Sequence, residues 1–176
     1  MQRSGAPLPA SPEPREYMIL KRMAAPAKLE RAWLHVQESA LARLSRFAAR
    51  GTPANLRTGL EGEQAALFDL RRRGVTIVAR RWTSARLRGD VDLIGWDGAT
   101  LCFFEVKTRT ARDMTPAESQ VDDDKRRTLR SLARAYLRSF PASQRGSVPV
   151  RFDVVSVYLL GAAPEIEHFP GAFGWS

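Results

Sequence analysis

Charged residues recurring at alternate positions inside two otherwise apolar stretches constrain this chain more than any other feature of it. From Arg88 to Arg109 it reads Arg-Gly-Asp-Val-Asp-Leu-Ile-Gly-Trp-Asp-Gly-Ala-Thr-Leu-Cys-Phe-Phe-Glu-Val-Lys-Thr-Arg. Such alternation marks strands, and Asp97-Gly98 between the halves is a strong signal for a tight hairpin turn. With those two residues as the turn, Trp96 faces Ala99, Asp92 faces Phe103 and Asp90 faces Glu105. Asp90, Asp92, Glu105 and Lys107 then share one side of a sheet. Asp92 and Glu105 become diagonal neighbours, roughly 7 Å apart at the backbone. The other side carries Val91, Leu93, Cys102, Phe104 and Val106, which suits a packed core.

Charges in such a place cost free energy unless something pairs with them. Carboxylates that converge with an ammonium raise one another's pKa values unless a divalent ion neutralises them. Oxygen ligands in this number favour Mg2+ or Mn2+ over zinc. The competing reading has no metal: Asp90 and Lys107 are edge charges, and Glu105 pairs with Lys107 or an arginine.

Two helices flank this hairpin. Thr58 followed by Glu61 has the form of a capping box, and Gly74 ends the helical pattern. Leu60, Ala66, Leu67 and Leu70 form an apolar stripe with Glu63 in its middle. Glu63 is either paired with an arginine from Arg71-Arg72-Arg73 or Arg80-Arg81, or is a further acidic member of the site. In the second helix Asp122 to Asp124 supply a cap and negative charge in the first turn, and Leu129, Leu132, Ala133 and Tyr136 define an apolar face running to Phe140. Lys125 falls on that face. Its stem covers apolar surface while its ammonium reaches water, or it points to the carboxylates or a substrate phosphate.

Val75 to Arg81 reads as a first strand and Val150 to Leu159 as a buried one, in which Arg151 and Asp153 read best as a structural ion pair. The expected fold is α/β, a mixed central sheet flanked by helices in the order α-β-β-β-α-β. It divides into a basic extension over residues 1–55, a domain over 56–160 and a C-terminal tail over 161–176.

Gly59-Leu-Glu-Gly62-Glu63, Gly89-Asp90-Val-Asp92-Leu-Ile, Phe103-Phe104-Glu105-Val106-Lys107, Lys125 and Arg151-Phe152-Asp153-Val154-Val155 resemble, in order, the motifs of the YraN-like uncharacterised proteins. These belong to the restriction-endonuclease-like (PD-(D/E)xK) superfamily, and the resemblance covers about residues 56 to 160. It implies a nuclease-type core in which Asp92 and Glu105 hold Mg2+ with the Val106 carbonyl as an extra ligand. Lys107 would orient the attacking water and offset charge on the phosphate, and Glu63 would match the acidic residue on the first helix of related resolvases. The implied activity is Mg2+-dependent, endonuclease-like hydrolysis of DNA or RNA, with structured or branched substrates in view. In this chain Val91 stands where the superfamily has proline, Asp90 where the family has glutamate, and Arg81-Trp82 where it has an Asn-aromatic pair.

Positive charge fits a polyanionic partner. The net charge is +9, from 28 basic and 19 acidic residues, which attracts nucleic acid or an anionic membrane surface alike. Arg81, Arg86 and Arg88 on one flank of the site, and Lys125, Arg109 and Arg112 on the other, are the expected backbone contacts. Trp82 reads as packing, with base stacking the alternative. Residues 1–16 are Pro-rich and expected to be disordered, while residues 27–50 read as a basic amphipathic helix. That helix docks on the domain, lies on a membrane or aids nucleic-acid binding.

Several chemistries lack their residues. Cys102 is the single cysteine and reads as buried packing; with only His35 and His168 besides, a zinc site has nothing to be built from. No glycine-rich nucleotide loop and no Ser-His-Asp pattern is present, so no nucleotide cofactor is expected. The early residues do not form a signal peptide and no stretch is long enough to span a membrane, which leads to the expectation of a cytoplasmic protein. A homodimer would suit duplex cutting. Two other classes compete with the nuclease: a non-catalytic nucleic-acid-binding or scaffold module on the same fold, and a membrane-surface protein tethered through residues 27–50.

Overall fold

In the computed structural model, residues 53–111 and 121–175 are described. The elements are α1 (Ala54–Arg72), β1 (Thr76–Thr83), β2 (Asp90–Asp97), β3 (Thr100–Arg109), α2 (Asp123–Leu137), β4 (Val150–Tyr158) and β5 (Glu165–Phe173). The readings of the extension over residues 1–52, and of Arg112 and the loop to Gln120, lie outside the described residues.

One sheet runs in the order β1-β2-β3-β4-β5. β3 and β4 are parallel and the other neighbours antiparallel, so the sheet is mixed as expected. Both faces are covered because the two residue parities of the central strands are both apolar. Leu93, Cys102, Phe104, Val155 and Val157 pack with Ala66, Leu67, Phe68 and Leu70 of α1. Ile94, Trp96, Leu101, Phe103, Phe152 and Val154 pack with Leu129, Leu132, Ala133 and Tyr136 of α2. The expected apolar face of α2 is thus the buried one. Trp82 meets Tyr136 edge-on at 5.3 Å, a packing role.

Five expectations need correction. The hairpin turn is Gly98-Ala99 rather than Asp97-Gly98, since Asp97 pairs with Thr100 and Trp96 with Leu101. Gly98, at φ +61, takes the first central position of the turn. Asp97 stays in the strand, where Arg151 Nη2 holds its carboxylate at 2.8 Å. Each strand thereby shifts by one residue in opposite senses, which preserves every side chain's face. Phe103 faces Ile94 and Phe104 faces Leu93, where the ladder ends, so Asp92 does not face Phe103 and Asp90 is not level with Glu105.

Val91 lies on the α2 side rather than with Leu93. Its ladder partner is Trp82, and the positive φ of +45 at Arg81 interrupts the alternation of β1 just before it. Helix α1 starts at Ala54 after Pro53, so Thr58 and Glu61 are interior residues and cap nothing. Proline at a helix start is pre-organised for it and outweighs the later cap signal. Leu60 is 38% exposed and leaves the buried stripe, whereas the helix ends as expected just before Gly74. Residues 161–176, read as a tail, contain β5, which pairs antiparallel with β4 and extends the domain past residue 160.

The lock on β5 is electrostatic. Asp153, fully buried, accepts from Arg151 Nε at 2.8 Å and Nη2 at 2.9 Å and from the Gly171 N–H at 2.9 Å, with His168 Nε2 at 2.9 Å. Arg151 and Asp153 therefore form the structural ion pair their alternation implied. Cys102 is buried as a packing residue, and burial pushes its thiol up to about 12.

Candidate active site

The beginning of β2, the end of β3, the start of α2 and the first half of α1 bring Asp92, Glu105, Lys107, Lys125 and Glu63 into one neighbourhood. α1 reaches it because Gly62 lies flush against Thr108; a Cβ there would come within 2.8 Å of the Thr108 Cβ. Asp122 accepts from the Lys125 N–H at 2.7 Å and so starts α2 where Lys125 faces the sheet.

Glu105 is the centre. It is buried, with Lys107 Nζ 3.0 Å from Oε1 and Lys125 Nζ 2.8 Å from Oε2. Of the two sequence readings for Lys125, the one that aims it at the carboxylates is correct. Burial alone would lower the Lys125 pKa, but the charge and hydrogen bond of Glu105, with Asp92 and Asp90 behind, raise it on balance. Lys125 is therefore a fixed cation.

Among the described residues no lysine forms an ion pair with Asp92. Its Oδ2 accepts from the Val106 N–H at 2.7 Å, which pins the Val106 peptide beside it. Burial, then the charge of Glu105, pushes the Asp92 carboxyl up to about 7, against that hydrogen bond. The Glu63 carboxyl is also raised, by burial first, with Arg81 opposing. Glu63 Oε2 is buried without a hydrogen bond; Arg81 Nε is 3.9 Å from it and 3.7 Å from Asp90 Oδ2. Arg81 is thus the arginine partner that one reading gave Glu63, and Glu63 also lies close enough to Asp90 and Glu105 to feel their charges.

These groups fit a divalent cation. Two carboxylates whose pKa values are raised, chiefly by burial, and a buried carboxylate oxygen without a hydrogen bond are groups that a divalent cation would stabilise. The side-chain donors are all oxygens, which suits Mg2+ or Mn2+. Among the described residues no three His, Cys, Asp or Glu side chains close a cage by themselves. A cation here would need waters or substrate phosphates to complete its shell, as Mg2+ commonly does.

Of the expected nucleic-acid contacts, Lys125 is in the centre and Arg81 at its edge between Glu63 and Asp90. Arg86 and Arg88 are exposed in the β1–β2 connection. Arg109 closes β3, its carbonyl accepting from the Leu159 N–H at 2.8 Å. Two features were missed. Ser156, level with Lys107 in the ladder, is buried with no hydrogen-bond partner for its hydroxyl. Arg126, Arg130 and Arg134 lie over Phe173 and Trp175; their four-residue spacing was the available signal.

A mixed sheet between two helices, with an Asp on one strand and Glu-x-Lys on the next, defines the class: a restriction-endonuclease-like fold. The chain belongs to the uncharacterised protein family UPF0102, the family of YraN-like proteins, whose model matches residues 62–157. It is 49% identical over 121 residues to a UPF0102 protein of Koribacter versatilis, covering 69% of this chain and 82% of that protein. With a UPF0102 protein of Solibacter usitatus it shares 44% over 128 residues, 73% of this chain and 92% of that one. A UPF0102 protein of Rhodococcus opacus is 43% identical over 121 residues, 68% and 98% of the two chains. No helix among the described residues is long and apolar enough to cross a membrane.

Proposed function

We propose that this protein is a divalent-metal-dependent hydrolase of phosphodiester bonds in nucleic acid. The observation that carries the reading is the acidic pair at the end of the sheet: Glu105 bracketed by two ammonium groups at 3.0 and 2.8 Å, and Asp92 beside it with a carboxyl raised to about 7. Phosphodiester hydrolysis needs a positioned water and stabilisation of added negative charge on phosphorus. Asp92 and Glu105, with the Val106 carbonyl, would hold Mg2+ or Mn2+. When bound, such a cation supplies Lewis-acid stabilisation of the phosphate and acidity to a water. Lys107, at the exposed side of Glu105, orients the attacking water and offsets charge on a non-bridging oxygen. Lys125, 2.8 Å from Glu105 Oε2, holds that carboxylate in place and turns to the phosphate when a substrate enters. Glu63 supplies a further acidic group at the margin, as in a resolvase-like site acting on structured or branched substrates.

Cleavage of labelled single-stranded, duplex, flapped and four-way-junction DNA and matching RNA, with Mg2+, Mn2+ or chelator, tests this. Metal-dependent cutting by the wild type that disappears in a folded Glu105→Gln variant is the expected result. Equal cutting by the variant overturns the mechanism.

One observation favours a second reading. Both oxygens of Glu105 are already met by lysines, so the centre is largely neutralised without a metal. A non-catalytic binding module would have such a site, and it would bind nucleic acid in a salt-sensitive way with no cutting under any metal condition.

A further inference from the structure

Helix α2 carries a row of guanidinium groups that the site does not use. Arg126, Arg130 and Arg134 follow one another at four-residue spacing, so they share one side of the helix and span about 12 Å. Arg126 and Arg130 lie over the Phe173 ring, 5.9 and 5.6 Å from its centroid, and Arg134 over the Trp175 ring at 5.2 Å. The platform beneath them is packed on the core: Phe173 stacks on the buried Phe152 at 4.9 Å, and Trp175 meets Phe152 edge-on at 4.9 Å. Arg130 Nε also donates to the Gly174 carbonyl at 2.8 Å.

Stacking engages the flat face of a guanidinium and leaves its N–H edge, the part that recognises phosphate, in the plane. The platform therefore removes much of the rotamer entropy that an arginine gives up on binding. A clamp for the C-terminal segment alone would not need three like charges within about 12 Å, which repel one another. The acidic residues of α2 are both in its first turn, where Asp123 meets Arg126 at 3.5 Å and Asp124 meets Arg127 at 3.0 Å. Positive charge thus grows away from the site, toward Arg134 and Arg138. The row starts one residue after Lys125, whose ammonium touches Glu105.

We propose that Arg126, Arg130 and Arg134 form a rail for backbone phosphates, along which a nucleic-acid strand runs to or from the Asp92–Glu105 centre. The rail rests on the reading of this chain as a protein that acts on nucleic acid. About 12 Å corresponds to three or four nucleotides of a duplex strand at about 3.4 Å each.

The test is fluorescence anisotropy with the full chain in chelator, so that binding is read without turnover. The probes are a labelled duplex of about 20 base pairs and its single strand, over roughly 50 to 300 mM salt. R126Q/R130Q/R134Q is expected to weaken binding at least about tenfold and to lower the slope of log K against log salt by about 2 to 3, near 0.9 per lost phosphate contact on duplex. R126K/R130K/R134K, which keeps charge but not stacking, is expected to retain most of that slope. An unchanged slope in a folded glutamine variant overturns the rail, as does a lysine variant that loses binding as fully as the glutamine one, because the row then only clamps the C-terminal segment. If the triple variant does not fold, Arg134→Gln alone must lower the slope by about one, and no change overturns the rail. Absence of wild-type binding in every condition defeats the nucleic-acid reading and the rail together. Binding with this variant pattern but no cleavage elsewhere leaves the rail standing and defeats only the hydrolase.

Discussion

Burial and the charge of Glu105 make Asp92 a costly residue for the folded chain. Its carboxyl is raised to about 7 from an ordinary 3.8, so the folded state holds its proton over a pH range in which the unfolded chain has lost it. Stability from this group therefore falls as pH rises from about 4 to about 7, and is flat above. Asp92→Asn removes that slope, and in chelator at pH 8 it is expected to raise Tm by about 5 °C or more in a thermal melt, the equivalent of one or two kcal/mol. A lower Tm would mean that the carboxylate is held by contacts rather than strained by them. Arg81 carries a different cost. It adopts φ +45, a region that asparagine tolerates and a β-branched residue does not. Arg81→Val is expected to lose about 2 kcal/mol more in urea unfolding than Arg81→Asn. Equal losses would show that the ion pairs to Glu63 and Asp90 matter more than the backbone.

At the scale of elements, two contacts set where the site lies and how far the sheet extends. Gly62 lets α1 lie against β3 at Thr108, and this approach carries Glu63 toward Arg81 and Asp90. Gly62→Ala must push the helix away, because the Thr108 Cβ itself is in the way and rotating the side chain does not clear it. The expected cost is about 1 to 3 kcal/mol, with Thr108→Ala recovering part of it; no loss in the single variant would mean that α1 slides freely. On the other side Asp153 ties β4 to β5. Burial alone would raise its pKa, but the hydrogen bonds from His168, Arg151 and the Gly171 N–H lower it on balance. Its contribution is present above about pH 4 and is lost as pH falls through the lowered value. Asp153→Ala leaves Arg151 and His168 facing an apolar gap, and about 3 to 5 kcal/mol should be lost in urea unfolding. It should also flatten the acid limb of the stability curve.

The whole molecule combines a net charge of +9 with a local acidic centre, an arrangement that on the proposed function would attract a polyanion and hold a cation at one point on it. Mg2+ at millimolar concentration is expected to raise the wild-type Tm, more at pH 8 than at pH 6, because below about 7 the ion competes with the Asp92 proton. Glu105→Gln should lose that response. A shift of the same size in both proteins would place the ion elsewhere on the chain.

Local pattern was enough for much of this. Alternation identified β2 and β3 and placed Asp92, Glu105 and Lys107 on one face, and that assignment survived the register error because a shift of one residue in each strand conserves parity. The 3.6-residue period of α2 and its Asp122 cap were likewise legible, since both are local properties of hydrogen bonding and burial. Which reading of Lys125 holds was not, because the choice depends on where β3 stands beneath α2. The position of Val91 and the existence of β5 were settled by contacts with distant residues, and the start of α1 by the adjacent Pro53. β5 in particular has weak alternation of its own and is held by Asp153, which lies 15 and 18 residues before its partners His168 and Gly171. The row formed by Arg126, Arg130 and Arg134 is visible as spacing, yet its platform exists only once β5 brings Phe173 and Trp175 beneath it. Periodicity is written into neighbours along the chain, whereas charge pairing and register are decided by neighbours in space.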